Sequence, residues 1–124
     1  MKTSERYPVT QGDIIVNYSS SLFDRTEVTA PSLPSDVFCG DILDSKTFAL
    51  FDSAAAEAGK PIINLSNMSA ADGKPKTLVI VDRHVVITDF ALRAKDAASK
   101  KAALEALTAS GDIRLAVNAD YFKA

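Results

Sequence analysis

The residues able to do chemistry are few and scattered. One histidine, His84, and one cysteine, Cys39, stand in a chain of 124 residues. A metal centre needs several His, Cys or carboxylate ligands converging on one point. The one arrangement to weigh is Asp82, His84 and Asp89, and a turn histidine that hydrogen-bonds or faces water explains those residues as well. Hydrolysis through His84 with a serine or Cys39 can be written down, but no GxSxG elbow or cysteine-protease signature supports it. Gly12, Gly40, Gly59, Gly73 and Gly111 are isolated, which excludes the GxGxxG and GxxxxGK phosphate loops. Asp41 and Asp44 read as solvated loop carboxylates, as do Asp24, Glu27 and Asp36. The sequons at Asn17, Asn64 and Asn67 carry no meaning without a secretory signal. No catalytic residue, metal ligand or cofactor is expected. The chain reads as a module whose product is a surface.

Composition narrows the class. The length suits one domain, large enough to fold without metal or disulfide. Hydrophobic residues make up 47%, an ordinary share for a folded protein. Fourteen basic and sixteen acidic residues give a net charge of −2, so nucleic acid is not an expected partner, because phosphate binding needs a clustered positive surface. The nearest to one is Arg93, Lys95, Lys100 and Lys101, partly offset by Asp96 and Glu105. A single cysteine excludes an intrachain disulfide and suggests a reducing compartment. MKTSERYPVT has no apolar segment of the signal-peptide kind, and no apolar run approaches membrane-spanning length. Synthesis in the cytosol, with no membrane partner, is the expectation.

The elements that would position any site are organised around Thr77–Leu92. Leu78–Val81 is a β-branched-rich run, the pattern of a strand buried on both faces. From Val85 the pattern alternates: Val85, Ile87 and Asp89 point one way, Val86, Thr88 and Phe90 the other. The polar Asp82–His84 between them predicts a hairpin. Short strands are predicted at Thr47–Phe51, Pro61–Ser66 and Asp112–Val117, the last facing Ile113, Leu115 and Val117 inward. Ser53–Ala58 is a helical turn or a loop, and Ala70–Lys76 is a connector with an Asp-Gly turn signal. One helix is predicted over Asp96–Thr108, with Asp96 as N-cap, Gly111 as stop, and Ala103, Leu104 and Leu107 inward. Tyr121 and Phe122 offer a final anchor. The class is mostly β (α+β), with one short helix near the C-terminus.

Residues 1–37 differ. They are rich in Ser and Thr, hold Pro8, Pro31 and Pro34, and contain one good apolar island, Asp13–Tyr18. A lone strand there needs a partner edge. Either it pairs with the body or it waits for another chain.

The order of the pieces carries a resemblance. Ile42-Leu43-Asp44, the apolar Phe48–Phe51 with Asp52, Pro61–Leu65, an Ala-Ala-Asp-Gly connector, the central hairpin, the polar helix with Lys100-Lys101, and a closing strand after Ser110-Gly111 follow one another. This succession resembles the head decoration proteins of phage lambda and its relatives over Asp41–Val117, with weaker support around Thr29-Ala30-Pro31. The chain departs from that pattern in Pro61-Ile62-Ile63 for a Gly-Ile-Leu type sequence. It also lacks a glycine at Asp82–His84, and has Leu92-Arg93 where the family often has Trp-Pro. The resemblance implies a small, mostly β fold with an extended N-terminal arm (1–36) and a single β-rich domain (37–124). It implies a homotrimer bound to the major capsid protein outside an expanded icosahedral capsid, at threefold and quasi-threefold positions. The protein would then be found on the virion surface, and in the host cytoplasm during assembly. The arm would bind the capsid by strand addition through Ile14, Ile15, Val16, Asn17 and Tyr18, with Leu22 and Phe23 beside them. The body is expected to fold without residues 1–30. A small β-barrel-like module binding a ligand or carbohydrate is the alternative.

Overall fold

A computed structural model of the protein describes residues 10–18, 25–55, 59–88 and 91–115, with backbone alone at 12–13 and 16–18. In chain order come a helical turn α1 (Gln11–Ile14) and strands β1 (Ile15–Tyr18), β2 (Arg25–Ala30), β3 (Ile42–Asp44), β4 (Pro61–Ile63), β5 (Lys76–Val81) and β6 (Val85–Ile87). Helix α2 (Ala97–Thr108) and strand β7 (Ile113–Leu115) follow. The fold is mostly β with one short helix. Among the described residues the strands form three small sheets: β1-β6-β7, β2-β5 and β3-β4.

Strand β5 divides two apolar cores. Leu78 and Ile80 point into one core with Ala30, Leu33, Val37, Leu43 and Phe48. Val81 points into the other, with Ile14, Ile42, Ile63, Leu65, Ile87 and Ala103, and Val79 packs against it. The period of two explains how one strand serves both. Strand β3 does the same with Ile42 and Leu43. The continuous apolar run at Leu78–Val81 therefore has the physical cause that its pattern predicted.

The hairpin at Asp82–His84 does not form. β5 pairs antiparallel with β2 over Arg25↔Val81 to Ala30↔Lys76, whereas β6 lies between β1, antiparallel, and β7, parallel. His84 takes a left-handed φ of 62°, and the amides of His84 and Val85 both donate to the Asp112 carbonyl, at 2.6 and 3.2 Å. The link turns a corner between sheets because both edges of β6 go to sequence-distant partners.

The strand predicted at Thr47–Phe51 is replaced by a turn. Asp44 Oδ1 accepts from the amides of Lys46 and Thr47, the Phe48 amide bonds the Asp44 carbonyl, and Phe48 has φ 62°. Of that stretch, Leu50 alone makes a ladder contact, a bridge to Leu43. Asp44 Oδ2 also accepts from the Gly59 amide. Asp44 is thus buried and saturated with donors, against its expected solvation. Burial pushes its carboxyl up, but the amides of Lys46, Gly59 and Thr47, with the Lys46 charge, outweigh that and hold it below the ordinary carboxylate range. A depressed folded pKa gives stability that is present above the unfolded value and lost as pH falls through the folded one. Below about pH 4, the melting temperature of Asp44→Asn should fall less steeply than that of the unaltered protein. Parallel acid-side slopes in thermal melts would contradict the assignment.

Helix α2 forms where its caps predict. The Asp96 carboxylate accepts from the Ser99 amide at 2.8 Å, and Gly111, at φ 85°, receives the chain after Thr108. Ala103 is buried and Leu104 and Leu107 pack against the core, as expected. Ser99 is buried too, accepting from the Ser53 amide at 2.9 Å, so a polar contact docks the helix as well. Ile113 is buried and Leu115 half-buried in β7; Val117, Tyr121 and Phe122 lie outside the described residues.

Within the expected arm, 1–36, the described residues pack with the body expected at 37–124. Ile14 and Ile15 are buried in the larger core, and β1 pairs with β6. β2 pairs with β5 along its whole length, and Ala30 and Leu33 are buried in the smaller core. Both segments belong to the body because β5 and β6 have no partner in each other.

Candidate interaction surface

The residues 37–42, 64–68 and 91–94 meet in one polar network, built on two buried side chains. Asp41 is 1% exposed and Asn64 fully buried. Asn64 Nδ2 donates to the carbonyls of Phe38 and Ser66, and its Oδ1 accepts from the Ser66 amide. The Phe38 amide donates to Asp41 Oδ2 at 2.9 Å, and the Cys39 amide to Asn67 Oδ1. Arg93 closes the network from the other side, Nε on Asp41 Oδ1 at 2.9 Å and Nη2 on Oδ2 at 3.0 Å. Backbone bonds lace the same pieces: Gly40 to Asn64, Arg93 to Gly40, and Ile42 to Arg93.

This network explains a charge that would otherwise be costly to bury. A bidentate guanidinium–carboxylate pair supplies two strong bonds, and the Phe38 amide satisfies a further lone pair. The bonds to Asp41, opposed by partial burial, raise the Arg93 pKa and keep the guanidinium charged. Asp41 was expected to be solvated; the tertiary fold buries it instead.

The network also holds an aromatic ring at the surface. Phe38 is 50% exposed, the one exposed large hydrophobic side chain among the described residues. The Arg93 guanidinium carbon lies 5.9 Å from its ring centroid, within cation–π reach. Sequence reasoning missed this pair. The signal available was a Phe in a short apolar run beside Gly40-Asp41, which looks like any core residue.

The expected capsid-binding residues are divided by the structure. Ile14 and Ile15 are buried, with their side chains in the larger core. Val16, Asn17 and Tyr18 continue β1, in register against Val86 and Val85 through a bulge. Leu22 and Phe23 lie outside the described residues. Strand β1 forms one edge of its sheet, and among the described residues no strand pairs with its outer side.

The chemical candidates do not gather. Asp82 and His84 are exposed, Cys39 is buried, and Asp89 lies outside the described residues. Among the described residues, no group of three His, Cys, Asp or Glu side chains is placed to hold a metal, and no helix is long and apolar enough to cross a membrane. The basic residues disperse: Arg93 pairs with Asp41 and Lys95 with Asp52, while Lys100 and Lys101 line a cleft of about 460 Å³ between α2 and Leu115.

Comparison with known proteins finds no matching family model, no similar curated protein and no similar solved structure.

Proposed function

We propose that this chain is a non-enzymatic capsid decoration protein of the phage lambda type. It binds the major capsid protein as a homotrimer, at threefold and quasi-threefold positions outside the expanded shell, and stabilises that shell. The order of strands and helix that resembles the decoration family supports the reading. The observation that carries it is the outer edge of β1, which no strand covers among the described residues, a row of main-chain groups to which another chain can add a strand. The mode differs from a free arm, because β1 is already anchored on β6 and its partner meets a preformed edge. Preorganisation of this kind lowers the ordering cost of binding. A closed cyclic trimer presents three such edges together, and avidity multiplies them.

A major capsid protein gene is expected beside the gene for this chain, and the test uses expanded, undecorated capsids assembled from its product. The protein should sediment as a trimer, co-pellet with those capsids, and saturate at one trimer per threefold position. Amide exchange at 15–18 should slow on binding. A protein that stays in the supernatant refutes the reading.

A further inference from the structure

We propose that Phe38 and the outer fork of Arg93 form a side-chain anchor, and that it receives a carboxylate flanked by an apolar side chain on the capsid protein. The inference rests on the capsid reading and names the contact that gives it specificity.

Two observations lead there. Guanidinium carries five N–H donors, and Asp41 engages Arg93 side-on, through Nε and one Nη2 hydrogen. Both Nη1 hydrogens and the second on Nη2 have no acceptor among the described residues, although the side chain is 41% exposed. These present the end-on fork, whose two parallel donors match a carboxylate in plane. The Phe38 ring lies beside the guanidinium, its centroid 5.9 Å from the guanidinium carbon.

Phe38 is held as well as exposed. Its amide is bound to Asp41 and its carbonyl to Asn64, both buried. The Asp41–Arg93 pair accounts for the arginine in the fold, but it does not require a phenylalanine at the surface. A rigid aromatic beside an arginine is the composition of interface hot spots, since little freedom is lost when a partner covers it.

A carboxylate is the matching group because the half-exposed fork is cationic, and an apolar neighbour is needed to cover the ring.

The experiment compares the unaltered protein with Phe38→Ser and Arg93→Lys in the capsid co-pelleting assay, with thermal melts and sedimentation alongside. Phe38→Ser should keep its melting temperature and trimer, and bind capsids at least about tenfold more weakly. Arg93→Lys keeps the charge and loses the fork, so it should also bind more weakly, and Phe38→Ser carries the test if that variant melts early. Unchanged capsid affinity in Phe38→Ser overturns the inference while the capsid reading stands. Loss of the trimer in Phe38→Ser overturns it in favour of a subunit contact. If the unaltered protein fails to bind capsids, the functional reading falls and the inference with it.

Discussion

Deleting residues 1–30 is expected to abolish folding, and not merely capsid binding. The truncation removes β1 and β2, leaving β6 without its antiparallel partner and β5 without a six-residue ladder. It also removes Ile14, Ile15 and Ala30 from the cores. Burying the two isoleucines alone is worth roughly 3–6 kcal/mol, against a total stability of about 5–15 kcal/mol for an ordinary domain. The exposed faces of Leu78, Ile80 and Val81 add to that loss. The truncated chain should show no cooperative thermal transition and little amide protection. A sharp transition near that of the full chain would mean that β1 and β2 are accessory, and would restore the arm inferred from composition.

Replacing Gly40 with alanine should produce the largest loss of any single methyl group added to the protein. Gly40 has φ 98°, a region L side chains rarely occupy, and a Cβ there would lie 2.5 Å from the Ala91 carbonyl oxygen. That neighbour cannot swing away, because the segment it leads into is bonded to Gly40 and Ile42 through both backbone groups of Arg93. The left-handed conformation alone costs about 1–3 kcal/mol, and the clash adds to it. We expect a loss of about 3 kcal/mol or more, or roughly 10 °C in melting temperature for a domain of this size. Gly73→Ala is the control. It also has positive φ, at 65°, but nothing lies within 4 Å of its added Cβ, so only the conformational cost applies. If Gly40→Ala melts no lower than Gly73→Ala, the close approach of the two backbones is refuted.

Composition and periodicity by themselves determined the mostly β class, the run at Leu78–Val81 buried on both faces, and helix α2 with its Asp96 cap. These are local matters: side-chain alternation, capping chemistry and propensity act within a few residues, so a sequence window contains their cause. Pairing was decided elsewhere. Three polar residues between two apolar runs permit a hairpin or a corner, and only the competition of β1, β2 and β7 for the edges of β5 and β6 settles which. Residues 1–37 looked like an arm because Ser, Thr and Pro dilute their apolar residues. Yet Ile14, Ala30 and Leu33 suffice once complementary strands need partners. The carboxylates show the same division. Nothing near Asp41 or Asp44 in the chain distinguishes them from solvated aspartates. Asp41 meets its cation fifty-two positions away at Arg93, and Asp44 meets one of its amide donors fifteen away at Gly59. The ionic cluster that places Phe38 at the surface exists only after the chain has closed on itself, because charge pairing depends on distance in space and not along the sequence.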